Sequence, residues 1–191
     1  MKKKLRCLFL GYDSKKTKII SALKKKKFAV KHFNGNLNKL DLKEFDLCVS
    51  FGYRKIIDKK HLLSFKRKPL NLHLSYLPFN RGAHPVFWSF IDNTPSGVTI
   101  HEINSKLDKG RILFQKKVKI NKKKNTFKKA YKIHFKQIES LFIRNITKII
   151  SRNYVTKKQI GKGSFHYTAD LPNSIKSWDL NINNFLISMK K

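Results

Sequence analysis

Apolar and polar positions alternate without a break over 70–75. Leu70, Leu72 and Leu74 fall on one parity and Asn71, His73 and Ser75 on the other. Successive side chains of a strand point to opposite faces, so the leucines share one face and the amide, imidazole and hydroxyl share the other. The pattern predicts a strand over 69–75, and Pro78, Asn80 and Gly82 then end it and turn the chain. Short apolar runs predict further strands over 5–10, 28–33 and 46–51. The last is nearly all apolar, as expected of a strand covered on both faces. Alternation over 97–103 and a run over 111–120 predict two more, joined as a loose hairpin by Asp108-Lys109-Gly110. Helical spacing appears over 17–26, where Ile19, Ile20 and Leu23 share a face, over 58–65, and over 85–92 behind Pro85. A long helix is predicted over 126–152, because Phe127, Tyr131, Phe135, Ile138, Leu141, Phe142, Ile146 and Ile149 recur at steps of three and four. That aromatic stripe reads as packing. A last helical segment covers 182–189.

The alternation has a chemical consequence. It places an amide and an imidazole two residues apart, facing the same way, at the carboxyl end of a strand, which is where open α/β sheets bind ligands. An Asn amide donates a hydrogen bond but does not titrate; a His donates when protonated and accepts when neutral. The pair suits an acyl transfer in which an oxyanion develops and an amine loses a proton. A carboxylate to hold the His charged is still needed, and Asp108 is the candidate.

Asn71-x-His73, Ser75-Tyr76-Leu77-Pro78-x-x-Arg81-Gly82, Gly97-Val98-Thr99-Ile100-His101 and Leu107-Asp108-x-Gly110 follow one another in this order. The set resembles the folate-dependent formyltransferase family over about the first two thirds of the chain. The resemblance implies an α/β fold, a Rossmann-like, mostly parallel twisted sheet with helices on both faces. It implies Asn71, His73 and Asp108 as catalytic residues and 10-formyltetrahydrofolate as the formyl donor, attacked directly by the acceptor amine with no covalent enzyme intermediate and no metal. Phe51, Tyr53, Arg54 and Ile56 fall where the family builds its pterin pocket, with His101 beside the site. Ser75, Arg81, Gly82 and His166 are the expected acceptor contacts. Core packing is the competing reading for Phe51 and Ile56, and a surface position for Arg81. Segment 80–90 and the tail Gly163-Ser164-Phe165-His166 look closest to sugar N-formyltransferases acting on nucleotide-linked amino sugars. Tyr167-Thr168-Ala169 departs from the more basic sequence expected there. Methionyl-tRNA formyltransferases, which add a C-terminal domain, and glycinamide ribonucleotide formyltransferases, whose loop after the proline differs, are the alternatives within the family.

Length and charge refine this picture. A chain of 191 residues suits one catalytic domain over 1–152 with a C-terminal extension over 153–191 near the substrate side. Met1-Lys2-Lys3-Lys4-Leu5 resembles the start of a signal peptide, but Arg6 interrupts the short apolar run and Asp13 follows, so it reads as the approach to a strand. No run approaches the roughly 20 apolar residues of a membrane span. Gly11-Tyr12-Asp13-Ser14 lacks the glycine pattern of a dinucleotide site. Cys7 and Cys48 lie in apolar runs and read as buried free thiols in a reducing, cytoplasmic setting, with no metal-ligand spacing. His32, His61 and His134 read as structural or exposed. Lys and Arg number 44 against 11 acidic residues, a formal net charge of +33. A non-catalytic basic nucleic-acid-binding protein would carry such a charge. The lysines are scattered rather than gathered in one tail, which favours a compositional bias that still attracts anionic small substrates. A homodimer is compatible with all of this.

Overall fold

The first four predicted strands lie side by side and parallel. In the computed structural model, which describes residues 4–189, they are β1 (Arg6–Gly11), β2 (Ala29–Phe33), β3 (Leu47–Phe51) and β4 (Leu70–His73). Met1 to Lys3 of the lysine-rich start lie outside those residues. The chain leaves the sheet for a two-residue strand, β5 (Arg81–Gly82), and returns as β6 (Gly97–Glu102) and β7 (Ile112–Lys117). The sheet order is β2-β1-β3-β4-β6-β7, with β6 antiparallel to both β4 and β7. The expected mostly parallel α/β sheet is therefore present. Every residue of β3 is buried, Ser50 included, as its nearly all-apolar run requires. Gly11, at φ +101°, ends β1 where a Cβ would run into the Phe51 carbonyl, so only glycine lets β1 and β3 close up there.

Three helices follow the predicted spacing closely: α1 (Ile19–Lys25), α2 (Lys59–Ser64) and α3 (Pro85–Ile91). The long helix α4 (Phe127–Ser151) starts where the Thr126 side chain accepts from the Lys129 N–H, a cap worth about 1 kcal/mol. It stops where Arg152 turns left-handed at φ 58°. Its stripe buries Phe127, Ile138, Phe142 and Ile149 almost completely, each contributing roughly 1.5–3 kcal/mol. Tyr131 departs from the stripe: it is only partly buried and faces a cavity.

Two features depart from expectation near the site. Strand β4 ends at His73, so Ser75 does not share a pleated face with Asn71 and His73. Instead the Ser75 hydroxyl turns inward and donates to the Phe79 carbonyl at 2.7 Å, bracing the following turn. The second is β8 (Phe165–His166), which runs parallel to β5 and pairs Arg81 with Phe165 and Gly82 with His166. The last helix, α5 (Ile182–Ser188), puts Ile182 and Phe185 into the same core as α3 and α4. No helix among the described residues is long and apolar enough to cross a membrane.

Candidate active site

Strand β4 carries Asn71 and His73 to the carboxyl edge of the sheet, and the β6–β7 turn carries Asp108 to meet them. Asp108 is left-handed at φ 51° and 8% exposed although it sits in a turn. Its Oδ1 accepts from Asn71 Nδ2 at 3.1 Å and its Oδ2 from the Gly82 N–H at 2.9 Å. His73 Nδ1 stands 3.7 Å from Oδ2 and His101 Nε2 3.4 Å from Oδ1. One buried carboxylate therefore faces two imidazoles, an amide and a backbone N–H.

The proton positions follow from the partners. His73 Nε2 lies 2.9 Å from the Asn80 carbonyl, which can only accept, so Nε2 carries a hydrogen. A second proton, on Nδ1, would face Asp108. His101 Nδ1 lies 2.7 Å from the Glu102 carbonyl and must donate to it. Neutral His101 then offers Nε2 as an acceptor to Asn71 Nδ2, 3.3 Å away; protonated His101 donates to Asp108 instead. Burial alone would raise the Asp108 pKa. The charge of His73, the hydrogen bond and charge of His101 and the Gly82 N–H outweigh it, holding the carboxyl well below the usual carboxylate range. Asp108 is thus a fixed negative charge set between two imidazoles.

The turn is braced from a distance. Gln159 Nε2 donates to the Asp108 carbonyl at 2.7 Å and the Gly110 carbonyl at 2.9 Å, while its Oε1 accepts from Arg81 Nε and Nη2. Neither Gln159 nor the Asn80 carbonyl stood out in the sequence. A lone Gln carries no spacing signal, and a backbone carbonyl carries none at all.

The remaining predicted residues separate. Phe51 is 1% exposed and closed in by the rings of Tyr12 and Phe135, so it packs the core instead of lining a pocket. Tyr53 donates from its hydroxyl to the Gly35 carbonyl at 2.7 Å. Ile56 is 87% exposed. His101 belongs to the Asp108 cluster. His166 stacks on Trp88 with centroids 4.0 Å apart and reaches Asp92 Oδ2 at 2.8 Å. Arg81 is buried, its guanidinium held by Gln159 and the Lys162 carbonyl. Gly82 contributes its N–H rather than space.

Arg54 lines a cavity of about 640 Å³ with Tyr12, His84, Phe87, Lys128 and Trp178. Tyr12 and Arg54 follow the ends of β1 and β3, so the cavity opens at the same carboxyl edge as Asn71 and His73. The His84 ring stacks on Trp178 at 5.4 Å and 28°. Burial lowers the His84 pKa, which keeps that ring neutral at neutral pH. The Tyr12 and Tyr131 hydroxyls lie 3.0 Å apart in its wall, and Lys128 Nζ meets Asp179 at 2.9 Å. Aromatic faces beside Arg54, with Lys128 paired to Asp179 in the same wall, suit a flat ring. Among the described residues no cluster of His, Cys, Asp and Glu could hold a metal ion.

Residues 5–146 match the family described as Formyl transferase. The chain is 42% identical over 88 residues to the bifunctional polymyxin resistance protein ArnA of Wigglesworthia glossinidia brevipalpis, covering 46% of this chain and 13% of that protein. It is 38% identical over 126 residues to a methionyl-tRNA formyltransferase of Prochlorococcus marinus, covering 62% of this chain and 38% of that one. The chain thus spans well under half the length of these curated relatives. Among solved structures it resembles the formyltransferase PseJ of Anoxybacillus kamchatkensis, solved with UDP-4,6-dideoxy-4-formamido-L-AltNAc and tetrahydrofolate. Identity is 33%, the TM-score 0.86, and the match covers 93% of this chain and 96% of that one. A sugar N-formyltransferase of a Shewanella species shares the fold at 20% identity, with a TM-score of 0.74 over 88% of this chain and 78% of that one.

Proposed function

Because this chain belongs to the formyl transferase family, we propose that it moves a formyl group from 10-formyltetrahydrofolate to the amine of a nucleotide-linked amino sugar. The observation that carries this reading is the convergence of Asn71, His73 and His101 on the ionised, buried Asp108. The likeness to PseJ over nearly the whole of both chains supports the acceptor class.

The amine attacks the formyl carbon, a new C–N bond forms, and the bond to the folate nitrogen breaks. One proton leaves the amine and one arrives on the folate. In between, charge gathers on the formyl oxygen, and donors already in place lower the barrier. His73, held between the Asn80 carbonyl and Asp108, can add positive charge beside that oxygen, although both its ring nitrogens already face partners. Asn71 is such a donor, but both its amide hydrogens begin directed at Asp108 and His101. When His101 takes a proton on Nε2 it stops accepting from Asn71 and donates to Asp108. Asn71 then has a hydrogen for the oxyanion.

The residues present fit both substrates. Ile56 and Leu107 are apolar and 87% and 58% exposed. A pterin ring would cover such a surface. The aromatic cavity suits the base of the acceptor, against His84 and Trp178. The test is incubation with 10-formyltetrahydrofolate and a panel of nucleotide amino sugars, glycinamide ribonucleotide and methionyl-tRNA, with formylated product read by mass. Product from a nucleotide amino sugar is expected. A methionyl-tRNA product alone would replace this reading with methionyl-tRNA formylation.

A further inference from the structure

A second hollow, of about 320 Å³, lies outside the catalytic cluster and is lined by Arg81, Lys109, Arg111, Lys158, Gln159 and Lys162 together with Gly161. In a chain this basic, any groove collects lysines, so charge alone identifies nothing. Two further features distinguish this one.

First, its two arginines are fixed before any ligand arrives. Arg81 is held by Gln159 Oε1 at 3.1 and 2.8 Å and by the Lys162 carbonyl at 3.1 Å. Arg111 is held by the Thr156 hydroxyl and carbonyl, both at 2.7 Å. Guanidinium groups with set orientations lose little freedom on binding and match the oxygens of phosphate or carboxylate. Second, no carboxylate lines the hollow. The larger basic groove between α1 and α4 includes Glu139, whose carboxylate accepts from Thr17 and the Lys18 N–H. The smaller hollow gathers five cations with no lining anion. Asp108, whose backbone is tied to Gln159, is occupied with the catalytic imidazoles.

We propose that this hollow is a binding subsite for an oxyanion group of two or more negative charges. Resting on the formyl-transfer reading, the group is either the diphosphate of the acceptor or the glutamyl carboxylates of the donor. Arg81 and Arg111 supply the fixed forks, and Lys109, Lys158 and Lys162 the mobile charges around them. Because Gln159 bonds both Arg81 and the Asp108 turn, an anion seated there adds a contact on the catalytic turn.

Calorimetric titration with pyrophosphate and with triglutamate tests this at about 0.15 M salt, where exposed charges beyond about 8 Å are screened. The wild type is compared with the double variant Lys158→Ala/Lys162→Ala and with Lys15→Ala/Lys136→Ala, which removes the same charge from the other groove. All four lysines are exposed, so folding is spared. We expect at least one probe to bind the wild type, and the first double variant to bind it roughly five- to tenfold more weakly. The second double variant should bind like wild type. Pyrophosphate binding points to the acceptor and triglutamate binding to the donor, and the KM of that substrate alone should rise in the first variant. Equal weakening in both variants, or no binding of either probe, would overturn the subsite. The titration needs no turnover, so a failure of the transfer reading would show separately as absent product with binding intact.

Discussion

Asn71 Nδ2 donates to Asp108 Oδ1 at 3.1 Å. The group expected to meet an oxyanion thus begins with a hydrogen on a carboxylate, and its other hydrogen faces His101. A resting site built this way is neutralised within itself and has to exchange partners to act.

Removing either strand residue tests that exchange most directly. His73→Ala and Asn71→Ala should fold and should slow single-turnover formyl transfer by on the order of 100-fold or more, the scale for losing an acid/base group or one oxyanion donor. Donor binding should survive better than turnover. Near-wild-type rates in His73→Ala would remove the proposed mechanism.

His101→Leu keeps the volume but removes the acceptor that competes for Asn71 and the second imidazole beside Asp108. Turnover should fall by about tenfold, less than for His73, with donor KM little changed. The pH–rate profile should lose its dependence on protonating that ring. An unchanged profile would return His101 to a packing role.

Asp108 also leaves a mark on stability. Its folded pKa is depressed, so the stability it contributes is present above the ordinary carboxylate value near 4 and lost as pH falls toward the lower folded value. Asp108→Asn should be less stable than wild type at neutral pH, and the two should converge in acid. Urea midpoints measured from pH 7 down to about pH 2 check this. A constant gap between the two proteins across that range would show that the carboxylate charge is not the source.

Gly82→Ala should be costly although the position is not fully buried. Gly82 sits at φ +84°, a Cβ there would meet the His166 carbonyl, and its N–H serves Asp108. Strain alone is worth roughly 1–3 kcal/mol. Thermal unfolding should report the loss, and transfer should drop further than the lowered stability accounts for, because the Asp108 turn shifts with it.

The strands and helices were legible because each follows from a local rule, whereas Asn71, His73 and Asp108 were joined as a set by the family resemblance, and the structure brings them together. Alternation set β4, steps of three and four set α4, and a lone Asp before Gly marked a turn that proved to carry the carboxylate. The outer residues were legible only as neighbours in sequence. Ser75 was placed with Asn71 and His73 by parity, but β4 ends too early for parity to hold. Phe51 and Ile56 lie five residues apart, yet one is sealed by Tyr12 and Phe135 and the other is in solvent. Arg81 and His166 lie on the paired strands β5 and β8, and Gln159 acts through a fold contact about fifty residues from Asp108. Pairings between such distant segments leave no periodic trace.

That distance also has a meaning in time. A chain emerging from the ribosome releases Asn71, His73 and Asp108 well before Gln159 and β8. Until those later residues arrive, the Asp108 carbonyl lacks the amide that holds it, and Gly82 lacks the partner strand that aims its N–H. A nascent chain would therefore expose Asn71, His73 and Asp108 before the contacts that hold the Asp108 turn in place. Onset of formyl transfer during synthesis would then time the arrival of the brace rather than the appearance of the chemistry.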